Sequence, residues 1–272
     1  MPQGLGVQLG LGAGRSATSS GAAGGAFPNA YSVEFDGAND YMDTGYVVGT
    51  TSALTLSAWA KEGYGIGPEL IMGDIDAGGS FANTRIWFGF YNKTIYTVMG
   101  DGSDYWYARG ADTYDATSTF FDDGWHHLAL VIDGSSQKFY IDSTLRFTAD
   151  TTDTGSATGS SGSGASLGTA QTSGQEIPVG ISGVWTGGGF TGFIDEPAIF
   201  ESALSGASIA AIYNGGIPNA ISDSVAWWRM GDGDSPTAGT SDPTGVTNLG
   251  SGSTTYAGTL TNGPLYREDV PS

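Results

Sequence analysis

The chain has 272 residues, with 28 Asp and Glu against 9 Lys and Arg, for a net charge of −19. Such a surface repels a phosphate backbone, which argues against nucleic-acid binding. There is no Cys, so disulfides are excluded, and no apolar run is long enough to span a membrane.

The acidic balance suits cations, a partner with a basic face, or a surface adapted to salt. Gly reaches 46 residues, spread without a fixed period, which signals turns and loops. Aromatic residues make up 12% and include 7 Trp, too rich for a disordered chain. The length fits one large β domain. The N-terminus lacks a basic n-region and a solid apolar stretch, so no Sec signal peptide is expected. A role outside the cell would then need another exit, such as lysis.

Residues 1–28 are mostly Gly, Ala, Ser and Leu and cannot build a core, so they read as an arm. Leu5, Val7, Leu9 and Leu11 alternate with Gly6, Gln8 and Gly10, a pattern that can add as a strand to another subunit. Gly10, Gly12 and Gly14 lack the flanking strand and helix of a nucleotide loop. From Ser32 to Asp36 the alternation is strand-like and turns at Gly37. Leu54, Leu56, Ala58 and Ala60 form one face of a second strand. Residues 85–91 and 94–99 read as a hairpin, and 105–108 as a further strand. Residues 125–132 and 138–141 flank Asp133-Gly134, another hairpin. Residues 150–175 are dominated by Ser, Thr and Gly and read as a long exposed loop or edge.

Over residues 191–216 the period changes once. Phe193, Asp195, Pro197 and Ile199 alternate as in a strand, and then Leu204, Ile209, Ile212 and Tyr213 recur at helical spacing. Ser205 is a good N-cap, and Gly215 and Gly216 a good stop. Residues 225–230 and 256–260 are the last predicted strands. Many short strands and one short helix indicate an all-β antiparallel sandwich.

Five segments taken together carry a resemblance. They are Ser32 to Tyr41 (SVEFDGANDY), Leu54 to Lys61 (LTLSAWAK), Gly124 to Gly134 (GWHHLALVIDG), Lys138 to Asp142 and Gly192 to Asn214. In this order the chain resembles the laminin-G-like, concanavalin A-like lectin and glucanase jelly-roll domains over residues 29–216. Pro197 stands where that family has a basic or polar residue, which implies an edge position or a bulge. Val225 to Asp232 and Tyr256 to Pro264 look like the segment that precedes the FDG strand in the family. Here they follow the helix, so residues 217–272 either close the same sandwich as a circular permutation or form a truncated second repeat. The first places Trp227 and Trp228 near Phe35, and the second leaves a loose tail. The arm, body and acidic surface are also similar in style to virion proteins of tailed phages.

The resemblance and the residues suggest several kinds of chemistry. Asp36, Asn39, Asp40, Asp195 and Glu196 are oxygen donors in segments that resemble calcium-bearing parts of related jelly rolls, so a structural calcium is one expectation. Turn hydrogen bonding by the same residues is the other. Asp74 and Asp76 are a lesser pair. Glu34 and Asp36 are the one alternate carboxylate pair on a clear strand, the pattern a glucanase needs. Strict alternation sends Asp195 and Glu196 to opposite faces, which removes a paired-acid reading there. His126 and His127 also face opposite ways and read as structural. Trp87, Trp106, Tyr107 and Trp185 lie on or beside loops and are candidate sugar-stacking residues, with core packing as the alternative.

The sequence therefore predicts a jelly-roll sandwich with an arm and a closing segment. Its expected role is a non-enzymatic virion surface protein, a capsid decoration or fibre component. Residues 1–28 would contact capsid or other virion proteins, and the body would bind glycans. A free lectin module and a glucanase are the alternatives. A homo-oligomer is compatible, and neither nucleic-acid binding nor membrane insertion is expected.

Overall fold

The structure is a computed structural model. It describes residues 28–49, 52–62, 68–73, 86–91, 94–100, 105–109, 120, 122–134, 136–150, 158–160, 177–180, 189–241 and 245–272. All of the arm but Pro28, together with Trp185, Asp74 and Asp76, lies outside the described residues.

The strands are β1 (Ser32–Asp36), β2 (Tyr41–Asp43), β3 (Ala53–Glu62), β4 (Pro68–Gly73), β5 (Ile86–Tyr91), β6 (Thr94–Gly100), β7 (Tyr105–Arg109) and β8 (His126–Asp133). They continue as β9 (Ser136–Ile141), β10 (Thr144–Asp150), β11 (Thr158–Ser160) and β12 (Thr191–Phe200). After the helix α1 (Gly206–Tyr213) come β13 (Ala226–Trp227), β14 (Thr259–Thr261) and β15 (Leu265–Arg267). An eight-stranded sheet runs β10-β9-β8-β3-β12-β1-β15, with β13 also on β12, and a five-stranded sheet runs β11-β7-β6-β5-β4. β14 and β2 form a small third pair. All registered pairings are antiparallel, as the alternating patterns require.

The two large sheets share one core. Leu54, Leu56, Ala58, Leu128 and Leu130 enter it from one side, and Ile86, Phe88, Ile95, Met99 and Trp106 from the other. Phe139 of β9 meets Phe88 of β5 with ring centroids 5.5 Å apart, which fixes the sheets face to face. The expected antiparallel sandwich with one short helix is therefore the observed architecture.

The C-terminal segment is knitted into this body. β15 pairs with β1, β14 with β2 and β13 with β12. Trp228 is buried in the same core cluster as Phe35. Trp227 instead packs on the outer side with Ala198 and Phe200. A loose tail is thus not what the structure shows.

The corner from β12 to α1 follows the sequence pattern closely. Pro197 does not put β12 at an edge, because β3 flanks it on one side and β1 and β13 on the other. The missing N–H is absorbed by a bulge, seen as a register shift against β3 between Asp195 and Ala198. Glu196 adopts φ 50 at that bulge, an uncommon conformation for a residue with a side chain. The Ser205 hydroxyl accepts from Ser208 N at 3.1 Å, which starts α1, and Asn214 ends it in the left-handed region at φ 48. Ile209 is buried against Ala129, Val131 and Tyr140, a burial that stabilises by about 2 kcal/mol. The helix thus covers the outer face of the eight-stranded sheet.

Candidate functional site

The outer face of the five-stranded sheet carries a row of aromatic rings. Alternation puts Ile86, Phe88, Phe90, Ile95, Met99, Trp106 and Ala108 into the core and leaves Trp87, Tyr91, Tyr96, Val98, Tyr105 and Tyr107 on the opposite side. Tyr91 is in register with Thr94, two residues before Tyr96 on β6. Tyr107 is in register with Val98, two residues after Tyr96. Each step from Tyr91 to Tyr96 to Tyr107 therefore crosses one strand and advances two residues, so the three lie on one diagonal. Tyr105 extends the row along β7.

Ring spacing along the row is even. Centroids are 5.6 Å apart for Tyr91 and Tyr96, 5.5 Å for Tyr96 and Tyr107, and 6.5 Å for Tyr105 and Tyr107. The last two pairs are stacked, with planes 26° and 22° apart. Trp87 meets Tyr96 edge-on at 5.8 Å and props the row from the side. Gly89, directly opposite Tyr96, leaves a gap between Trp87 and Tyr91 on β5. A Cβ there would lie 2.0 Å from the Glu69 carbonyl oxygen, so only glycine lets the bulged β4 come this close.

The four predicted sugar-stacking residues separate on this frame. Tyr107 is in the row and half-buried. Trp87 lies on the same face but is only 1% exposed, a support rather than a contact. Trp106 is corrected: it points into the core at 1% exposure, because β7 alternates and Tyr107 takes the outer side. Trp185 is outside the described residues. Tyr91, Tyr96 and Tyr105 were missed. Their period-two placement was visible in the sequence, but their alignment across strands was not.

The five proposed metal ligands do not converge. Asp36 is in register with Thr191, and Asp195 lies four residues further along β12, about 13 Å away at the usual strand rise. Asp36 Oδ1 accepts from Ala38 N at 2.7 Å, Asp40 Oδ2 accepts from Asp36 N at 3.2 Å, and the Asn39 carbonyl accepts from Asn262 Nδ2 at 2.8 Å. These contacts are turn chemistry. Burial, and then the neighbouring Asp36 charge, push the Asp40 carboxyl up. Among the described residues, no three His, Asp or Glu side chains are grouped to hold a metal.

Asp195 and Glu196 belong to a separate polar cluster. The bulge breaks strict alternation, so the expectation of opposite faces fails: both carboxylates are buried near Asp232, and Glu196 meets Arg229. Asp195 is fully buried and accepts from Asn29 Nδ2 at 3.0 Å and from Glu196 N at 2.9 Å. Glu196 accepts from Arg229 Nε at 3.0 Å and from Trp227 Nε1. Arg229 also donates to Asp232 at 3.0 Å and to the Pro28 carbonyl. Burial raises both carboxyls, Glu196 to about 7 despite Arg229 and Asp195 well above its ordinary range. A guanidinium already occupies the place a cation would take, so these residues do not fit a calcium site.

The histidines are structural. His126 Nδ1 is 2.6 Å from Asp142 and its Nε2 is 3.0 Å from Asp122. Burial opposes its charge, but the two carboxylates outweigh burial and raise its pKa. His127 Nε2 lies 2.8 Å from Ser57 Oγ. Both residues are fully buried beneath α1, with Tyr213 and Trp59 rings against the imidazole, so no substrate reaches this Ser–His pair. Burial lowers His127 to about 4 and keeps it neutral. An open groove of about 250 Å³ runs between α1 and residues 219–223, floored by Phe200, Leu204, Ile212 and Ile221.

A family model described as the concanavalin A-like lectin/glucanases superfamily matches residues 36–210. No curated protein matches the sequence. Among solved structures, one from Bacteroides ovatus, described as a carbohydrate-binding protein, is similar with a TM-score of 0.52 and 17% identity. The match covers 89% of this chain, which spans 61% of that structure's length. The CBM40 of a Ruminococcus gnavus IT-sialidase, bound to α2,3-sialyllactose, is similar with a TM-score of 0.49 and 13% identity, over 67% of this chain and 96% of that one.

Proposed function

Since the chain belongs to the concanavalin A-like lectin/glucanases superfamily, we propose that it is a non-catalytic carbohydrate-binding module whose ligand face is the outer side of the five-stranded sheet. The observation that carries this is the row Tyr91–Tyr96–Tyr107–Tyr105. Rings of this kind offer apolar faces to the C–H side of a sugar and hydroxyls to its polar edge. The description of the Bacteroides ovatus protein as carbohydrate-binding supports the same reading.

A hydrolase is disfavoured by where the carboxylates are. Glu34 and Asp36 lie on β1, in the other sheet from the ring row. Glu34 is paired with Arg267, and Asp36 holds a turn amide. Neither of these two acids therefore stands beside a sugar lying on the rings. A glycan array tests the proposal: binding to at least one carbohydrate is expected, and silence across the array contradicts it.

The finer form of the proposal puts the module on a virion surface, attached through residues 1–28. The Gly- and Ala-rich composition of this arm supports it, as does the firm hold on the arm's root. Arg229 donates to the Pro28 carbonyl, and Ala30 N donates to Asp232 at 3.0 Å. Deleting residues 1–27 should release the protein from particles, and unchanged association would contradict the placement. A free lectin module is the alternative, and it would bind glycans equally well without the arm.

A further inference from the structure

Resting on the carbohydrate-binding reading above, we infer that the tyrosine row takes an unbranched, uncharged saccharide chain, three or more sugars long, and not a single sugar.

The inference comes from which rings are accessible. Tyr91, Tyr105 and Tyr107 are half-buried, whereas Tyr96, between them, is only 8% exposed. The contact points are thus the two ends of the row, with Tyr96 holding the spacing between Tyr91 and Tyr107. Two centroid steps of 5.6 and 5.5 Å separate those ends, and a third of 6.5 Å leads on to Tyr105. One sugar ring can stack at one end only. Reaching both ends takes a chain whose sugars follow one another along the diagonal. Because the row crosses three strands on one diagonal, a branch-free chain can follow it from Tyr91 to Tyr105.

Charge selects among such chains. The protein carries −19 overall, so a polyuronate or sulfated chain is repelled as it nears the surface. Aromatic stacking acts on any sugar with an apolar face, so it needs no charge on the ligand.

The test is calorimetric titration of the full-length protein with linear neutral oligosaccharides of glucose, mannose, xylose or galactose, from one sugar to six, and with oligogalacturonates of matched length. We expect affinity to rise about tenfold or more between one sugar and three for at least one neutral series, which is about 1.4 kcal/mol. Tyr91→Ala and Tyr105→Ala, at opposite ends of the row, should each flatten that rise while leaving the melting temperature in place. Equal affinity for one sugar and four, or tighter binding of the oligogalacturonates, would overturn the inference and leave carbohydrate binding standing. If no saccharide binds, neutral or acidic, the carbohydrate-binding reading itself falls and takes the inference with it.

Discussion

Tyr96 and Tyr107 stack across β6 and β7 at 5.5 Å, while Trp106, one residue before Tyr107, is buried in the core behind them. The adjacent pair Trp106 and Tyr107 therefore divides stability from binding. Trp106→Ala should destabilise by about 3–5 kcal/mol, the usual cost of emptying a large core site. Tyr107→Ala should cost under about 1.5 kcal/mol, since it removes one ring contact at a half-exposed position. Urea unfolding of both variants checks this, and comparable losses would mean that Tyr107 is a core residue.

The buried cluster at the β12 bulge makes a second prediction. Among the described residues, Arg229 is the cation that holds Glu196 and Asp232. Arg229→Met should destabilise by about 3–5 kcal/mol by leaving buried carboxylates uncompensated. Adding Glu196→Gln should restore part of that loss, because it removes one of the stranded charges. Chemical denaturation of the single and double variants measures the recovery, and additive losses would show that the cluster is not electrostatically coupled.

Two buried groups give opposite pH slopes. Glu196 is raised from 4.5 to about 7, so the folded state holds extra proton there. Its contribution is fully present below 4.5 and is lost as pH rises through about 7. His127 is lowered from 6.5 to about 4, so its contribution is present above 6.5 and is lost as pH falls through about 4. The two largely cancel in between. Glu196→Gln removes the first slope, lessens the like-signed one of its neighbour Asp195 and leaves that of His127. Relative to this variant, the wild type should therefore lose about 1–2 kcal/mol between pH 5.5 and 8. A constant difference over that range would show that Glu196 is ionised throughout.

Metal removal is informative because Asp195 and Glu196 are satisfied from within. Adding a chelator should shift the melting temperature by less than about 2 °C, equivalent to under about 1 kcal/mol for a chain of this size. A larger drop, restored by calcium, would place a structural ion in the protein after all.

Much of this architecture was legible in the sequence. The change of period at Phe200 gave both β12 and α1, and Ser205 marked the helix start. Pro197 implied either an edge position or a bulge, and the bulge is what forms. β8 and β9 stood out because His126 to Asp133 and Lys138 to Ile141 flank Asp133-Gly134. β10 was missed although Leu145, Phe147 and Ala149 alternate with Thr144, Arg146 and Thr148; it is an edge strand whose first three residues are exposed, so the pattern carries little apolar weight. β15 was missed because it is short and follows Pro264, which looked like an end. The site was half legible. Alternation assigns each Tyr to a face, yet only cross-strand register puts Tyr91, Tyr96 and Tyr107 on one diagonal. Nor does a sequence say that Arg229 will meet Glu196, 33 residues away, at the place where β12 exchanges β1 for β13.

The most direct test of the central claim compares glycan binding by the wild type and Tyr107→Ala in one titration series at matched melting temperature. The account predicts that the wild type binds a neutral glycan and that Tyr107→Ala binds it about tenfold more weakly or worse, the loss of one stacking contact. Equal affinity for the two proteins, or no binding by the wild type, would contradict it.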